Sequence, residues 1–206
     1  MGQIKQNSMI IKDACILFLI TVIAGTLLGL VNQVTLQPIA DANAKAKEQA
    51  YKVVYENATS FQENSQINQL LEKQSYEGAQ INEVLEAVNQ KQEVIGYVLN
   101  MTAKEGYGGD VVFTIGVTKA GNMTGFSVLS HNETAGLGAN CTSAEFAAQF
   151  VGLQGPEIAY TKDGAKDKST FDALSGATIT SKALTKGINA GLAFLHENNY
   201  TTEGGQ

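Results

Sequence analysis

Four hydroxyl side chains lie close together in residues 172–181, which read DALSGATITS. They belong to Ser175, Thr178, Thr180 and Ser181, and Gly176 and Ala177 give the segment flexibility. Apolar residues then recur at helical spacing at positions 184, 188, 192 and 195. The free N–H groups of a first helical turn, near Thr180 and Ser181, attract anions, so the segment predicts a phosphate site. Ser and Thr are also ordinary helix N-caps, which is the alternative interpretation.

A glycine-rich loop, residues 131–138 with the sequence HNETAGLG, connects a predicted strand to a predicted helix. That helix is expected to start at residues 142–145, where Thr142 and Glu145 form a capping-box pattern. His131 has no nucleophile or paired carboxylate beside it in the sequence, so we interpret it as a structural histidine. The other glycine-rich loop, residues 105–110, leads into a strand and not a helix, which excludes a dinucleotide-binding loop.

The pattern Asp-x-x-Ser-Gly-Ala-Thr at residues 172–178 resembles the flavinylation motif of the covalent FMN-binding domain family. The resemblance implies that a flavin transferase reads Asp172 and joins FMN through a phosphoester to Thr178. It also implies further cofactor contacts from Ser175, Gly176, Ala177, Thr180 and Ser181.

The HNETAGLG loop is similar to the H-x-E-T-P-G-L-G element of flavin subunits in two related ion-pumping complexes. These are the Rnf ferredoxin:NAD oxidoreductase and the Na⁺-translocating NADH:quinone oxidoreductase; here Ala135 stands where proline is usual. The similarity implies that Gly136 and Gly138 let the backbone approach the isoalloxazine ring and that Leu137 packs on it. Glu133 and Thr134 would form hydrogen bonds with the flavin or hold the loop in place.

These resemblances imply an electron-transfer subunit with FMN, in a membrane complex that couples ferredoxin oxidation and NAD reduction to Na⁺ or H⁺ translocation. Its partners would be the other membrane, Fe–S and flavin subunits, and the chain alone would complete no reaction. The short chain and its single anchor fit the G subunits of the Rnf complex better than the longer C subunits of the quinone reductase. The C subunit and an extracytoplasmic binding or sensor domain without a redox centre remain alternatives.

The composition, net charge and cysteines of the chain exclude several classes of function. The chain has 206 residues, 44% of them hydrophobic, which suits one domain plus appendages. A formal net charge of −6 and the lack of a basic cluster argue against nucleic acid. Cys15 and Cys141 lie in different contexts, so we expect no disulfide, and neither has the neighbours of a metal site.

The N-terminal region contains an uncharged run, residues 14–31, long enough to cross a hydrocarbon core of roughly 30 Å. Lys5 and Lys12 precede this run. The positive-inside rule therefore predicts a single-pass protein of the plasma membrane, with its N-terminus in the cytoplasm and its FMN domain on the extracytoplasmic face. A cleaved signal peptide is the alternative, because residues 40–44 have an A-x-A pattern. The run exceeds the roughly 7 to 15 residues of the apolar region within a signal peptide, and the small residues lie rather far beyond it, which favours an uncleaved anchor.

The sequence predicts an α+β fold, with a transmembrane helix followed by one FMN-binding domain whose antiparallel sheet is flanked by helices. Three β-rich runs, residues 94–99, 111–117 and 123–129, are the expected strands, while the polar residues 57–92 predict one or two short surface helices. The expected divisions are a cytoplasmic N-terminus 1–13, a transmembrane helix 14–34, a stalk and polar helical segment 35–92, an FMN-binding core 93–200 and a polar tail 201–206.

Overall fold

The structure, a computed structural model, describes residues 2–201, with side chains from residue 12 onward. Residues 202–206 of the expected tail and the side chain of Lys5 lie outside this description. The chain divides into two compact units, one up to Ala46 and one from Lys47 onward.

The first helix, α1, is longer than the sequence pattern predicts. It runs from Gly2 to Val54 without a break and includes Pro38, so the expected span and the expected stalk helix form one element. Side chains between residues 14 and 31 are exposed along the whole uncharged run. Among the described residues, α1 is the one helix that is long and apolar enough to cross a membrane.

The second unit is built on a five-stranded antiparallel sheet in which every strand pairs with its neighbour in the chain. The three predicted strands are present and extend further than expected, which confirms the α+β fold class. The strands are β1 (Ser60–Glu63), β2 (Ala79–Val88), β3 (Val94–Gly106), β4 (Gly109–Thr118) and β5 (Met123–Ser130).

Helices and a small second sheet complete this unit. A 3₁₀ helix, Gly138–Thr142, follows the glycine-rich loop, and a two-stranded parallel sheet precedes the last helix. The remaining elements are α2 (Ser65–Leu71), α3 (Ala144–Ala148), β6 (Ala159–Thr161), β7 (Thr170–Asp172) and α4 (Thr178–Glu197).

The prediction of one or two short helices over residues 57–92 is correct for the short helix α2, but it missed the strands β1 and β2 on either side of that helix. The pairing of β2 with β3 shifts register between Ile81 and Glu83, which interrupts the alternation expected of a strand. The side chain of Asn82 donates to Asn100 at 2.9 Å, so a polar residue finds its partner on the next strand. A local sequence pattern cannot predict a hydrogen-bond partner that lies this far along the chain.

One face of the sheet packs against α4 in the main hydrophobic core. Gly187 and Gly191 of α4 lie over Phe113 and Met101, where an added Cβ would stand 2.8 Å from the nearest ring carbon or sulfur. The helix therefore approaches the sheet more closely than a residue with a side chain would allow. Four aromatic rings beside it join β5 to α3 and β7, namely Phe126, Phe146, Phe150 and Phe171.

The other face of the sheet is covered in part by the last turn of α1, where Tyr51, Val54 and Tyr55 form a smaller core with Leu85 and Val98. The sheet presents glycine here: a Cβ on Gly125 would stand 2.7 Å from the Cα of Val54. The backbone of the helix therefore lies almost directly on the backbone of the sheet.

Candidate functional site

The first turn of α4 leaves backbone N–H groups free for a ligand. The N-cap is Ala177, with φ −130° and ψ 54°, and alanine has no side-chain oxygen that could accept from the turn. The first intrahelical bond runs from the N–H of Ser181 to the carbonyl of Ala177 at 3.0 Å. The helix thus begins at Thr178, so its first turn includes Thr180 as expected, and the N–H groups of its first three residues precede the hydrogen-bonded ladder.

Ser181 is turned into the protein, away from the cavity described below. Its Oγ accepts from the N–H of Leu174 at 2.9 Å and donates to the carbonyl of Ala177 at 3.1 Å. The buried hydroxyl therefore fixes the turn that leads into α4. Gly176 in this turn has φ +71°, a left-handed conformation that favours glycine, and it lies against Cδ2 of Leu137.

The glycine-rich loop forms a tight turn opposite α4. The carbonyl of Thr134 accepts from the N–H groups of Leu137 and Ala139, both at 3.1 Å. Gly136 has φ +77° at the outer point of this turn and is exposed. The expected capping box at 142–145 is wrong in register: Ser143 is the N-cap of α3, and its Oγ accepts from the N–H of Phe146 at 3.2 Å.

Glu133 joins three segments of the chain. Its side chain is buried, with 8% of the residue exposed. One carboxylate oxygen, Oε1, accepts from the backbone N–H of Gly108 at 3.1 Å, and the other, Oε2, accepts from the hydroxyl of Thr180 at 2.7 Å. Its own N–H donates to Nδ1 of His131 at 3.1 Å, so His131 supports the loop, as a structural histidine would.

A cavity of about 420 Å³ lies between the first turn of α4, the glycine-rich loop and the tip of the β3–β4 hairpin. This volume falls within the roughly 300–1,000 Å³ typical of small-molecule sites. We call it the α4 cavity. Its lining residues are Tyr107, Glu133, Thr134, Leu137, Gly138, Gly176, Ala177, Thr178, Ile179 and Thr180.

Most of the residues singled out from the sequence line the α4 cavity, but four do not. Ser181 is buried behind the turn, whereas Ser175, Gly136 and Asp172 are exposed to solvent. Asp172 ends β7, and its N–H donates to Oε1 of Gln149 at 2.7 Å.

Two lining residues were missed by sequence reasoning. Tyr107, at the hairpin tip, is 70% exposed, and Ile179, in the first turn of α4, is 53% exposed. Together with Leu137, which is 43% exposed, they give the α4 cavity an apolar rim. The signal for Ile179 was present, because a large apolar residue stands among hydroxyls on the polar start of the helix. Tyr107 lies between glycines in a loop, and no local pattern there indicates a flavin contact.

Cys141 lies behind the cavity, in the 3₁₀ helix, and is completely buried. Burial raises the pKa of its thiol to about 11, and the negative charge of Glu133 acts in the same direction. The thiol is therefore neutral and unreactive at ordinary pH. Within residues 2–201 no cluster of His, Cys, Asp and Glu has the arrangement of a metal site.

The comparisons with known proteins agree with this geometry. The model of the FMN-binding domain family matches residues 106–193, a range that contains every segment lining the α4 cavity. The chain is 32% identical to the G subunit of the proton-translocating ferredoxin:NAD(+) oxidoreductase complex of Clostridium ljungdahlii, covering 81% of this chain and 80% of that protein. It is also 32% identical to the G subunit of the Na(+)-translocating ferredoxin:NAD(+) oxidoreductase complex of Acetobacterium woodii, covering 87% and 88%.

A solved structure with a similar fold is the crystal structure of Shewanella oneidensis NqrC. The TM-score is 0.50 at 16% identity, and 71% of each chain is covered. At this identity the likeness concerns the fold alone.

Proposed function

Because the chain belongs to the family of G subunits of ion-translocating ferredoxin:NAD(+) oxidoreductase complexes, we propose that it carries FMN covalently on Thr178 and passes electrons within such a complex. Members of this family are FMN-binding electron-transfer subunits, and a redox subunit of this kind is no complete enzyme by itself. The observation that carries the proposal is the position of Thr178, which lines the α4 cavity as the first residue of α4.

The phosphate end of the site is supported by the first turn of α4. The free N–H groups of this turn and the positive end of the helix dipole stabilise a negative group bound beside Thr178. Alanine at the N-cap leaves these donors to the ligand, since no capping side chain competes for them.

The choice of one hydroxyl among four is supported by burial and by existing hydrogen bonds. The hydroxyls of Thr180 and Ser181 are completely buried and already donate to Glu133 and Ala177. Ser175 is exposed but does not line the α4 cavity. Thr178 is half-buried and lines it, so its oxygen is the one that a reaction partner can reach beside the anion-binding turn.

We propose the following attachment reaction. A separate Mg²⁺-dependent flavin transferase presents FAD to residues 172–178. The Thr178 oxygen attacks the phosphorus nearest the flavin, the bond between the two phosphates breaks, AMP leaves and the hydroxyl proton is released. The product is a phosphoester of FMN.

The ring end of the site is supported by the apolar rim. Leu137, Ile179 and Tyr107 offer apolar surface to a flat ring, and the small residues Gly138 and Gly176 let the backbone come close to it. Bound FMN supplies one- and two-electron chemistry through its own ring. The chain holds the cofactor, orients it and leaves it open at the surface of the domain, where partner subunits can exchange electrons with it.

The family is one of membrane complexes, and α1 supplies an apolar helix suited to be the anchor. Lys5 and Lys12 before the uncharged run support a cytoplasmic N-terminus and an FMN domain on the outer face. Protease added to intact spheroplasts should then digest the domain. If the domain is digested only after the cells are lysed, the orientation is the opposite one. A mature chain that starts near Lys45 would show that the apolar run is a cleaved signal peptide.

Peptide mass spectrometry after co-expression with the flavin transferase tests the attachment site. We expect an FMN-sized adduct on Thr178 in the wild type and none in Thr178→Val, which keeps the branched shape and deletes the oxygen. Ser175→Ala, which removes an exposed hydroxyl of the same segment, is the matched control and should keep the adduct. An adduct on Ser175, Thr180 or Ser181, or a wild-type chain without any adduct, would overturn the proposal.

A further inference from the structure

The carboxylate of Glu133 is a buried acidic group in the wall of the α4 cavity. We propose that Glu133 is a positioning residue that also sets the reduction potential of the bound flavin, its negative charge favouring the oxidised form. The inference rests on the proposed function, because it requires FMN in the α4 cavity.

The first argument is the way Glu133 joins the walls of the cavity. Its two oxygens bind Gly108 at the hairpin tip and Thr180 in the first turn of α4, while its backbone belongs to the glycine-rich loop. These three segments carry the apolar rim and Thr178. The carboxylate therefore determines how the three walls stand relative to one another.

The second argument is the absence of side-chain atoms between this carboxylate and the neighbouring backbone. A Cβ on Gly138 would collide with Oε2 of Glu133, and a Cβ on Gly106 would stand 2.6 Å from Oε1. Glycine at both positions lets the carboxylate lie directly against the loop and the hairpin. Glu133 itself also lines the α4 cavity.

The third argument concerns charge. The groups that bind Glu133 are a backbone amide and a hydroxyl, and both are uncharged. The buried thiol of Cys141 is neutral as well, because its pKa is raised to about 11. An electron that arrives in the cavity without a proton, delivered by the complex from reduced ferredoxin, adds one negative charge there. A carboxylate in surroundings of low dielectric opposes that charge strongly, so it makes reduction less favourable.

The test uses the full chain, flavinylated by co-expression with its transferase, purified in detergent and titrated electrochemically. In Glu133→Gln the amide keeps the length of the side chain: its oxygen can accept from Gly108 and its NH₂ can donate to the Thr180 oxygen. The charge is lost, and the contact with Thr180 is kept with donor and acceptor exchanged. We expect the ratio of reduced to oxidised flavin at a fixed applied potential to rise about tenfold or more, which is 59 mV for a one-electron couple.

A second variant has the opposite expected sign. Thr180→Val removes the hydroxyl that donates to Oε2 and keeps the charge, so the carboxylate is less well stabilised by its own partners and we expect the potential to fall. Asp163→Asn removes an exposed carboxylate from the segment between β6 and β7 and is the matched control, with no expected shift.

The outcomes separate the two proposals. A wild-type chain without an FMN adduct overturns the proposed function and this inference with it. Adducts in every variant with equal potentials overturn the inference alone, and so does a rise in both Glu133→Gln and Thr180→Val, since geometry would then explain the shift without charge. If Glu133→Gln does not fold, Thr180→Val decides: a fall supports the inference and an unchanged potential overturns it.

Discussion

The two sides of the α4 cavity are built in different ways. On the helix side, the turn before α4 is fixed by the buried hydroxyl of Ser181, and the first turn offers backbone donors. On the loop side, the chain is shaped by glycines and by the buried carboxylate of Glu133, and it offers apolar surface. The helix side suits the attachment of a phosphate and the loop side suits the packing and tuning of a ring, so the two tasks should respond to different substitutions.

The largest expected effect comes from Gly138→Ala on the loop side. The new Cβ would collide with Oε2 of Glu133 and stand 2.7 Å from Oγ1 of Thr180. Both residues are buried, and the two oxygens are hydrogen-bonded to each other. We therefore expect the free energy of unfolding to fall by an amount near the upper end of the about 1–3 kcal/mol typical of overpacking. Thermal unfolding of the full chain in detergent measures it.

Gly136→Ala is the matched control for this loop. A Cβ at Gly136 meets open space, and only its positive φ of +77° opposes the change. We expect a cost of roughly 1–2 kcal/mol from the left-handed backbone. If Gly136→Ala destabilised the chain more than Gly138→Ala, the contact of Gly138 with Glu133 would not be what constrains the loop.

An intermediate effect is expected from Ser181→Ala on the helix side. The change leaves the buried N–H of Leu174 without its partner at 2.9 Å, which costs roughly 1–3 kcal/mol. Because the turn presents Thr178, the yield of FMN adduct should fall together with the melting temperature. Ser175→Ala, at an exposed hydroxyl of the same segment, should stay within about 0.5 kcal/mol of the wild type; a larger loss there would contradict the division between buried and exposed hydroxyls.

The smallest effect on stability is expected from Tyr107→Ala. The ring is 70% exposed, so the unfolding free energy should change by no more than about 0.5 kcal/mol. Because Tyr107 forms part of the rim, quenching of flavin fluorescence by iodide should nevertheless increase. Val151→Ala, at a residue that is 62% exposed and lies outside this cavity, provides the comparison. Equal quenching in both variants would show that Tyr107 does not cover the flavin ring.

The parts of the fold that sequence predicts well are those encoded by neighbouring residues. The strand patterns around residues 94–129 and the apolar spacing of α4 are local, and the structure contains both elements. The strands β1 and β2 within residues 57–92 were missed because polar side chains there find hydrogen-bond partners far along the chain: Glu86 accepts from Asn64, and Asn82 donates to Thr102. A strand of this kind resembles a surface helix until its partners are known.

The site divides in the same way. The motif at residues 172–181 indicated an anion site, because a helix start is a local feature. The sequence did not reveal which hydroxyls face inward, since that depends on where Glu133 and Leu174 lie in three dimensions. Nor did it indicate that Tyr107 would meet α4 at one cavity, because 70 residues of chain separate the hairpin tip from Ala177.

The neighbour-to-neighbour order of the sheet has a consequence for the timing of maturation. On the outer face, where we propose the domain lies, the five strands can pair in order as the chain leaves the translocation channel, because each pairs with the strand just before it. Thr178 is synthesised after them, and the bond from Thr180 to Glu133 can form only when α4 docks on the completed sheet. If the transferase reads this docked arrangement, flavin is added only to finished domains, and the flavin content of a preparation counts its correctly folded molecules.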